Sequence, residues 1–596
     1  NATNVLPVVL IPVTLAMAVL LVLRWMSKDK NEAVGFEDFF AVVLALGLVG
    51  ACTSSASTPP SSPAASGSAG TSGTVEPVAP PAPGALADAA CAIPHQQLLR
   101  IWRGTDPERS GQIVFVPQEP NFVGTNFPHS GPWNYLQDVP LFWYGPGIVP
   151  ALGRVERPVT LADVAPTQGK LLDFAFDAPD GRALPEIPKP DTPPPLIVTL
   201  VWDAGGLSLL DAFPNDWPVL RSMIPDGIWF DHASVGSSPS ITPATHATIG
   251  TGAFPMHTGQ TDAEFRLGDD LVRAGALGPV LLMEPTLADL YDRAMGNEPL
   301  VGALASVTWH LNMASHGSLW GGGDRDIAVL RVPTAADNEG AEGTTWNLQG
   351  RYQPFYQLPA YVNDLPPLSA YTEAIDRQDG ALDGKWRDNS IEQYESGWAT
   401  PARIPYQGAM VEEVIAREGF GDDPVPDLLF VNFKAIDHVS HIWSANSPEM
   451  QDTLAWQDED LGRFVEFLDR EVGQGRYVLL VTADHGAQFD PAVSGAFQVT
   501  PTELERDLNA AFPAADGGSV FQAVRSSQIY VNEDTMASSG YSLEQISRFI
   551  LDYTHEQGNP DDAPPLPESE RSEPVFSAAF PITLMDGLDC LPEARG

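Results

Sequence analysis

The segment LIVTLVWDAGG, residues 196–206, decides the fold of this chain. Its first seven residues are uncharged and rich in β-branched side chains, which predicts a strand buried on both faces, as in the parallel sheets of α/β proteins. Asp203 ends the run before two glycines, a pattern that ordinary turns also show. Because open α/β sheets bind ligands at the carboxyl ends of their strands, Asp203 is a candidate site residue.

Similar apolar runs recur along the chain and alternate with helical patterns. Residues 159–174 predict a helix capped by Thr160, and residues 447–472 predict a long amphipathic helix that Ser447 begins. This alternation predicts an α/β fold, with a mainly parallel central sheet and helices on both of its faces. The strand candidates are residues 112–117, 139–145, 196–202, 427–433 and 476–483.

Length and composition set further bounds. The 596 residues suffice for one large domain with appendages, or for two to three domains of average size. Residues 267–423 are rich in Gly, Pro, Trp and Tyr and show little periodicity, which favours an inserted cap region that shapes the substrate pocket. The 32 basic and 77 acidic residues give a net charge of −45 and oppose a stable nucleic-acid partner, since such proteins bind phosphates through Lys and Arg. The oligomeric state is left open.

Residues 1–51 predict a membrane or signal-like segment outside the globular fold. Residues 5–23 are apolar and precede Arg24 and two lysines, as in a membrane helix with a cytoplasmic basic flank. Residues 39–51 have the length of a signal-peptide core, and the sequence VGAC that ends at Cys52 resembles a bacterial lipobox, which implies lipid attachment to that cysteine. A second membrane helix is the alternative. Both interpretations place the rest of the chain on the extracytoplasmic face of a bacterial cell membrane.

Residues 52–90 are a low-complexity stretch of Ser, Pro, Ala and Gly. They hold too few large apolar side chains to offset the entropy of ordering, which predicts a disordered linker. Two cysteines, Cys91 and Cys590, bracket the chain beyond it. In an exported protein this arrangement favours a disulfide over two unpaired buried thiols.

A hydroxyl nucleophile is predicted in SVGSSPSITPATHATIGTG, residues 234–252. Thr242 precedes Pro243, which favours a helix start with Thr as the cap and Pro in the first turn. A hydroxyl there faces free backbone N–H groups and the positive end of the helix dipole, which favours an incoming phosphate. An ordinary capping Thr is the alternative.

Metal-ligand spacing appears in FKAIDHVSHIW, just after one strand candidate. Asp437 and His441 stand four residues apart and therefore point the same way over one helical turn. Carboxylate and imidazole ligands on one face suit zinc. His438 lies between them and is expected to point elsewhere.

A second pair follows the strand candidate at 476–483. Asp484 and His485 end that run, and Gly486 permits close approach of backbone or substrate. Each pair alone is compatible with a structural ion pair. These two pairs and Asp203, together with a hydroxyl nucleophile, predict a two-metal site for phosphoryl transfer.

From residue 196 to residue 486 these segments resemble the alkaline phosphatase superfamily, specifically its type I phosphodiesterase/nucleotide pyrophosphatase branch. The resemblance implies an alkaline phosphatase-like fold and hydrolysis of small-molecule phosphate mono- or diesters through a phosphothreonine on Thr242. It also implies two divalent metal ions, best matched by Zn²⁺. It assigns Asp203, Thr242, Asp484 and His485 to one metal, and Asp437, His441 and a further histidine to the other.

That further histidine has two candidates. His555, the only histidine after the Asp-His pair at 484–485, stands in a polar stretch. Upstream, PHSGPWNYLQDVPLFWYGPG around His129 resembles the segment that follows the Asp-His motif in most relatives. The resemblance therefore implies a circularly permuted domain, in which residues 91–190 supply His129 to the second metal and residues 191–596 form the main part. A surface loop histidine is the alternative.

One departure from the family concerns substrate contact. Relatives carry an Asn shortly after a His-Gly pair that touches phosphate, whereas this chain offers Gln260 and Asp262. An anionic Asp262 beside phosphate is unfavourable unless a metal binds it. Lys434 is the substitute candidate, although a lysine at a strand end is often solvated.

Three functions are compatible with these residues. Hydrolysis of phosphate esters agrees with the nucleophile and the ligands together. The alternatives are an envelope-directed phosphotransferase on the same fold and a non-catalytic protein that binds phosphate ligands. A sulfatase is disfavoured, because those relatives need a Cys or Ser nucleophile in a different motif.

Overall fold

The computed structural model describes residues 84–320, 323–332, 345–392, 399–560 and 563–591. The described residues do not include the membrane or signal-like segment predicted at residues 1–51, the lipobox cysteine Cys52 or most of the predicted linker. Among the described residues, no helix combines the length and the apolar character that crossing a bilayer requires.

The strands, in chain order, are β1 (Ile113–Pro117), β2 (Phe122–Val123), β3 (Leu141–Tyr144), β4 (Gly153–Thr160), β5 (Leu196–Trp202), β6 (Ile228–Ser234), β7 (Glu264–Leu267), β8 (Asp270–Arg273), β9 (Val301–Ala305), β10 (Asp326–Leu330), β11 (Tyr356–Gln357), β12 (Lys385–Trp386), β13 (Asn389–Ser390), β14 (Asp427–Phe433), β15 (Tyr477–Thr482), β16 (Gln498–Val499), β17 (Phe521–Val524), β18 (Gln528–Val531) and β19 (Phe576–Pro581).

The α-helices, in chain order, are α1 (Ala85–Ala92), α2 (His95–Arg103), α3 (Asn134–Gln137), α4 (Val164–Leu171), α5 (Leu207–Ala212), α6 (Pro218–Met223), α7 (Thr242–Thr251), α8 (Pro255–Thr258), α9 (Leu287–Ala294), α10 (Ser369–Asp376), α11 (Arg403–Glu418), α12 (Ala435–Trp443), α13 (Pro448–Leu468), α14 (Pro491–Ser494), α15 (Pro501–Ala511), α16 (Glu533–Ser538), α17 (Leu543–Leu551) and α18 (His555–Gly558).

Nine strands form the central sheet, in the order β11, β10, β9, β14, β5, β15, β3, β6, β4. β5 lies in the middle and pairs in parallel with β14 and β15, so that Leu196 is in register with both Asp427 and Tyr477. The other neighbours are also parallel except β3, which runs antiparallel to β15 and β6. The predicted α/β fold with a mainly parallel central sheet is confirmed.

Helices cover both faces of this sheet, because the apolar strands need burial on each side. On β5, Leu200 and Trp202 belong to one buried cluster, which also contains apolar residues of α11, α12 and α13. Ile197 and Val201 belong to a second cluster with residues of α4, α7 and α9. Alternation along one strand thus divides the core between two layers of helices.

Two predicted helices are present with their predicted start signals. Thr160 begins a 3₁₀ turn at Leu161–Asp163 through a capping box, and α4 continues from it. The Ser447 hydroxyl accepts a hydrogen bond from the Met450 backbone N–H at 3.1 Å and starts α13. Side-chain caps of this kind satisfy N–H groups that the helix itself leaves free.

A second, antiparallel sheet has the strand order β17, β18, β1, β19. The strand predicted at 112–117 therefore lies in this sheet and not in the central one. The disulfide predicted between Cys91 and Cys590 is confirmed, with the two Cα atoms 5.7 Å apart. α1 packs on this sheet through Leu86 and Ala90, so residues 85–90, which we assigned to the disordered linker, are helical because they bury apolar side chains.

The interpretation of residues 267–423 as an inserted cap is corrected by the sheet. β9, β10 and β11 come from this stretch and extend the central sheet on one side. α9 and α11, from the same stretch, contribute to the two buried clusters on its faces. β9 and β10 are five-residue buried strands separated by long irregular segments, so their apolar pattern is too short to stand out.

Candidate active site and metal centre

The predicted site residues meet at the carboxyl edge of the central sheet. Asp203 directly follows β5, and Lys434 directly follows β14. Asp484 and His485 come shortly after the end of β15. Because these three strands are parallel neighbours, their carboxyl ends bring the side chains into one place, as expected for an open α/β sheet.

The start of α7 differs from the prediction. Thr242 is the first helical residue, and Ile241 occupies the capping position. The backbone N–H groups of Ala244 and Thr245 donate to the Ile241 carbonyl, both at 3.1 Å, and Pro243 has no N–H. The helix start therefore offers fewer free donors to a phosphate than the sequence indicates. The Thr242 hydroxyl is buried and faces side chains of the sheet edge.

Lys434 lies at the centre of these groups. Its Nζ donates to Asp203 Oδ1 at 2.8 Å and to Thr242 Oγ1 at 3.1 Å, and it lies 2.9 Å from Asp437 Oδ2. Burial alone would lower the pKa of this ammonium, but the two carboxylates outweigh burial and raise it. Lys434 is only 7% exposed, so the alternative of a solvated strand-end lysine is wrong.

The first ligand set consists of Asp203, Asp484 and His485, all fully buried. His485 Nε2 lies 3.6 Å from Asp203 Oδ1, 3.2 Å from Asp484 Oδ2 and 3.3 Å from Thr242 Oγ1. His485 Nδ1 donates to the Gly486 carbonyl at 2.9 Å. The side chains that the resemblance assigns to one metal are thus in mutual contact.

The second ligand set consists of His129, Asp437 and His441. The Nε2 atoms of His129 and His441 lie 3.4 and 3.3 Å from Asp437 Oδ1, a buried oxygen without a hydrogen-bond partner. The Nδ1 atom of His129 donates to the Ser240 carbonyl at 2.8 Å, and that of His441 to the Phe127 carbonyl at 3.1 Å. Because a carbonyl only accepts, both Nδ1 atoms carry a proton, and both Nε2 atoms point at the same carboxylate oxygen.

The two sets shift histidine pKa values in opposite directions. Burial, reinforced by the neighbouring rings of His485 and His441, lowers the pKa of His129 to about 4. For His485, burial also favours the neutral ring, but Asp484 and Asp203 outweigh it and raise the pKa to about 9. Without a cation, His129 is therefore neutral and His485 charged near neutral pH.

Two other sequence candidates lie elsewhere. Asp262 is buried, which raises its pKa to about 7, and its charged neighbours are Arg525 and Glu264. Within the described part of the chain, no hydrogen bond or ion pair joins Asp262 to either ligand set. His555 stacks on Phe497 with ring centroids 4.0 Å apart and does not approach the second set.

Three polar residues around Asp203 were not predicted. Asn432 Nδ2 donates to Asp203 Oδ2 at 2.8 Å, and His310 Nε2 lies 3.4 Å from the same oxygen. His246 Nε2 is 3.0 Å from Asn432 Nδ2, while its Nδ1 donates to the Thr242 carbonyl at 2.9 Å. The spacing of four residues between Thr242 and His246 was a usable signal, because it places both on one helix face. His310 comes from the segment without clear periodicity.

The sequence of this chain is similar to those of known proteins. A sequence model of the type I phosphodiesterase / nucleotide pyrophosphatase family matches residues 197–547, more than half of the chain. The chain belongs to this family. The family's matched span contains every residue of the first ligand set and two of the second, whereas His129 lies before it.

Individual relatives of the family agree. The chain is 27% identical to the alkaline phosphatase PafA of Elizabethkingia meningoseptica over 207 residues, which cover 32% of this chain and 38% of PafA. It is 24% identical to the alkaline phosphatase PhoV of Synechococcus elongatus over 316 residues, which cover 46% of this chain and 54% of PhoV. The chain thus spans about half or less of the length of these curated relatives. The resemblance to the alkaline phosphatase superfamily is confirmed.

A solved structure is also similar. The crystal structure of wild-type PafA matches 65% of this chain and 85% of its own chain, with 20% sequence identity and a TM-score of 0.48.

Proposed function

We propose that this chain hydrolyses phosphate mono- or diesters of small molecules, with Thr242 as the nucleophile and two divalent metal ions as cofactors. The observation that carries the proposal is the position of the Thr242 hydroxyl, which touches His485 of the first ligand set and Lys434, the residue that links the two sets. Membership of the type I phosphodiesterase family supports chemistry on phosphoric esters.

The side chains fit the metals that the proposal requires. In the second set two Nε2 atoms and the partnerless Oδ1 of Asp437 face one another, an arrangement that only a cation or an added proton satisfies. Imidazole and carboxylate ligands favour zinc over magnesium or calcium. Asp203, Asp484 and His485, with Thr242, would hold one zinc, and the second set would hold the other.

Zinc supplies a positive charge that lowers the pKa of a nearby hydroxyl and stabilises the leaving oxygen. Thr242 Oγ1 forms a bond to phosphorus in line with the ester oxygen, that ester bond breaks, and the hydroxyl proton is passed to the leaving alcohol. Water then attacks the phosphothreonine, the bond to Oγ1 breaks and a proton returns to Oγ1. Lys434 donates to Oγ1 from 3.1 Å and therefore stabilises this oxygen whenever it carries negative charge.

The reaction class is tested with p-nitrophenyl phosphate and bis-p-nitrophenyl phosphate as substrates. We expect hydrolysis of at least one, loss of activity when chelation removes both metals, and recovery when Zn²⁺ is added back. Addition of glycerol as an acceptor distinguishes transfer to water from transfer to an alcohol, which a phosphotransferase would prefer. Full activity in protein shown to be free of metal would contradict the two-metal proposal.

We also infer that the domain is circularly permuted, with His129 as the third protein ligand of the second metal. Residues 91–190 contribute β3 and β4 to the central sheet, and β3 lies between β15 and β6 of the remaining chain. The same segment brings His129 next to Asp437. This segment precedes the span that matches the family, as a permutation requires.

For location, we propose the extracytoplasmic face of a bacterial membrane, with either a membrane helix within residues 1–51 or a lipid on Cys52 as the anchor. The Cys91–Cys590 disulfide supports an oxidising compartment. Incorporation of labelled fatty acid into wild type, but not into Cys52→Ser, would support the lipid anchor. Recovery of the protein in the cytosol with both thiols free would contradict the location.

A further inference from the structure

A second group of carboxylates lies at the opposite edge of the central sheet from the catalytic residues. Asp326 is the first residue of β10, Asp324 stands two residues before it, and Asp292 lies on α9. One carboxylate oxygen from each lies within 4.8 Å of the others. β10 runs parallel to β9 and, through it, to the strands whose carboxyl ends hold the catalytic residues. This group is therefore separate from both ligand sets.

The group has a buried oxygen without a partner. Asp292 is 5% exposed, and its Oδ1 is buried without a hydrogen bond. Asp326 is 8% exposed, and the Ser315 hydroxyl donates to its Oδ2. Among the described residues, no Lys or Arg forms an ion pair with any of the three carboxylates. Burying a carboxylate without a partner costs free energy, so the Asp292 side chain lacks a group that would stabilise it.

Further negative charge surrounds this group. Asp289, one helical turn before Asp292, accepts hydrogen bonds from the backbone N–H and Nδ1 of His316 at 2.6 and 2.5 Å. His316 therefore pairs with Asp289 and does not belong to the group formed by Asp292, Asp324 and Asp326. Burial, followed by repulsion from Asp324 and Asp289, raises the pKa of Asp292 to about 7. Burial, together with repulsion from Asp292, Asp289 and Asp324, also raises the pKa of Asp326, against the hydrogen bond from Ser315.

We propose that Asp292, Asp324 and Asp326 bind a Ca²⁺ ion that ties α9 to the start of β10. All three ligands are carboxylate oxygens, the donors that Ca²⁺ prefers, and no imidazole or thiol takes part. Ligand oxygens around Ca²⁺ lie at about 2.3–2.6 Å from the ion, so two of them are at most about 5 Å apart. The three oxygens lie within 4.8 Å of one another, which fits one coordination sphere. Asp324 is exposed and gives an ion access from solvent.

Calcium binding to the full chain tests this inference, by equilibrium dialysis with ⁴⁵Ca²⁺ at physiological ionic strength. We expect one strongly bound Ca²⁺ for the wild type, and loss of that ion in Asp292→Asn and in Asp324→Asn. Asp324→Asn changes an exposed side chain and keeps the test valid if Asp292→Asn folds poorly. Asp534→Asn, which removes an exposed carboxylate on α16, is the matched control and should bind as the wild type does.

Asp437→Asn separates this site from the catalytic centre and should keep the Ca²⁺. Thermal unfolding provides an independent test of the same site. Ca²⁺ should raise the midpoint temperature of unfolding of the wild type but not of Asp292→Asn. In calcium-free buffer Asp292→Asn should unfold at a higher temperature than the wild type, because the substitution relieves repulsion among the carboxylates. Equal Ca²⁺ binding by the wild type and Asp324→Asn, or loss of Ca²⁺ in Asp437→Asn, would overturn the proposal. Neither readout depends on phosphatase activity.

Discussion

The first and second ligand sets touch where the rings of His485 and His129 stack, with centroids 3.6 Å apart, but they are stabilised differently. In the first set, the carboxylate of Asp203 accepts from Lys434 and Asn432, and Asp484 Oδ1 accepts from the Ala204 backbone N–H at 3.1 Å. In the second set, Asp437 Oδ2 forms an ion pair with Lys434 at 2.9 Å, and its Oδ1 is buried without a hydrogen-bond partner. The carboxylates of the first set are therefore hydrogen-bonded by the protein itself, whereas one oxygen of the second set is left for a cation.

The origin of the two sets differs as well. The first is built from loops that directly follow neighbouring parallel strands, so the sheet alone fixes its geometry. The second joins α12 to a loop from residues 91–190, and the backbone carbonyls of Phe127 and Ser240 orient its rings. Carbonyls that fix a histidine tautomer are the usual outer partners of metal-binding imidazoles. We expect the second metal to respond selectively to changes in that loop.

The largest effect is expected at Thr242, whose hydroxyl contacts His485 of the first set and Lys434. Thr242→Ala should lower kcat/KM by roughly 10³-fold or more, because the covalent route is lost, while both metals remain bound. Steady-state kinetics and metal analysis on the same preparation check this. Thr242→Ser is the matched control and should keep substantial activity. Turnover near the wild-type rate in Thr242→Ala would contradict the nucleophile assignment.

Removal of His129 is expected to take a ligand from the second set and to remove a ring that stacks on His485 of the first set. His129→Ala should lose about one of two metal equivalents and lower activity by more than the roughly 100-fold that outer partners of a metal ligand contribute. Metal analysis by mass spectrometry checks the stoichiometry. His555→Ala is the control, since that ring stacks on Phe497. Equal metal content in His129→Ala and wild type would remove the basis for the permutation.

Lys434→Met sharpens the comparison because this ammonium links Asp203 and Asp437. We expect a loss of roughly 10²-fold in kcat, comparable to removal of one charge-stabilising donor, with metal content retained. Metal affinity should rise, since a competing cation is gone. Lys434→Arg tests whether charge alone suffices. If kcat stays unchanged in Lys434→Met, the hydrogen bond to Thr242 Oγ1 has no role in the reaction.

A smaller effect is expected in the pH dependence of the metal-free protein. The pKa of His129 is lowered to about 4, so the unfolded chain binds the extra proton first, and stability falls as pH drops from about 6.5 towards 4. The full difference amounts to at most about 3 kcal/mol. His129→Gln should flatten this acid limb of urea unfolding curves recorded at several pH values.

The first set gives the opposite sign. The pKa of His485 is raised to about 9, so its contribution to stability is complete below about pH 6.5 and is lost as pH rises towards 9. His485→Gln should therefore flatten the alkaline limb, and it should also weaken the acid limb, because His485 contributes to the lowered pKa of His129. Identical pH profiles for the two variants would mean that the sets do not differ in electrostatics.

The sequence predicted the positions of site residues best where these residues come at the end of a long buried strand. Asp203, Asp484 and His485 could be placed because β5 and β15 are continuous apolar runs whose ends are visible. β9 and β10 were not recognised, since five buried residues carry too little periodicity. His310 follows β9 and was missed for the same reason.

Local signals also failed where tertiary contacts compete with them. Thr242 looked like a helix cap, yet its hydroxyl bonds to Lys434 instead. Residues 85–90 looked like linker, but Leu86 gains burial against the second sheet. Asp262 was a candidate only through its place after a motif, and the fold carries it towards Arg525. The helix and strand propensities of residues and their spacing in the sequence carry no information about these long-range contacts.

The central claim is that phosphorus is bonded to Thr242 Oγ1 during turnover. Rapid acid quench with a ³²P-labelled substrate, followed by proteolysis and peptide mass spectrometry, tests it most directly. We predict one phosphoryl group on the peptide that contains Thr242, phosphoserine at the same position in Thr242→Ser, and no label in Thr242→Ala. A label on another residue, or single-turnover hydrolysis without any covalent label, would contradict the account.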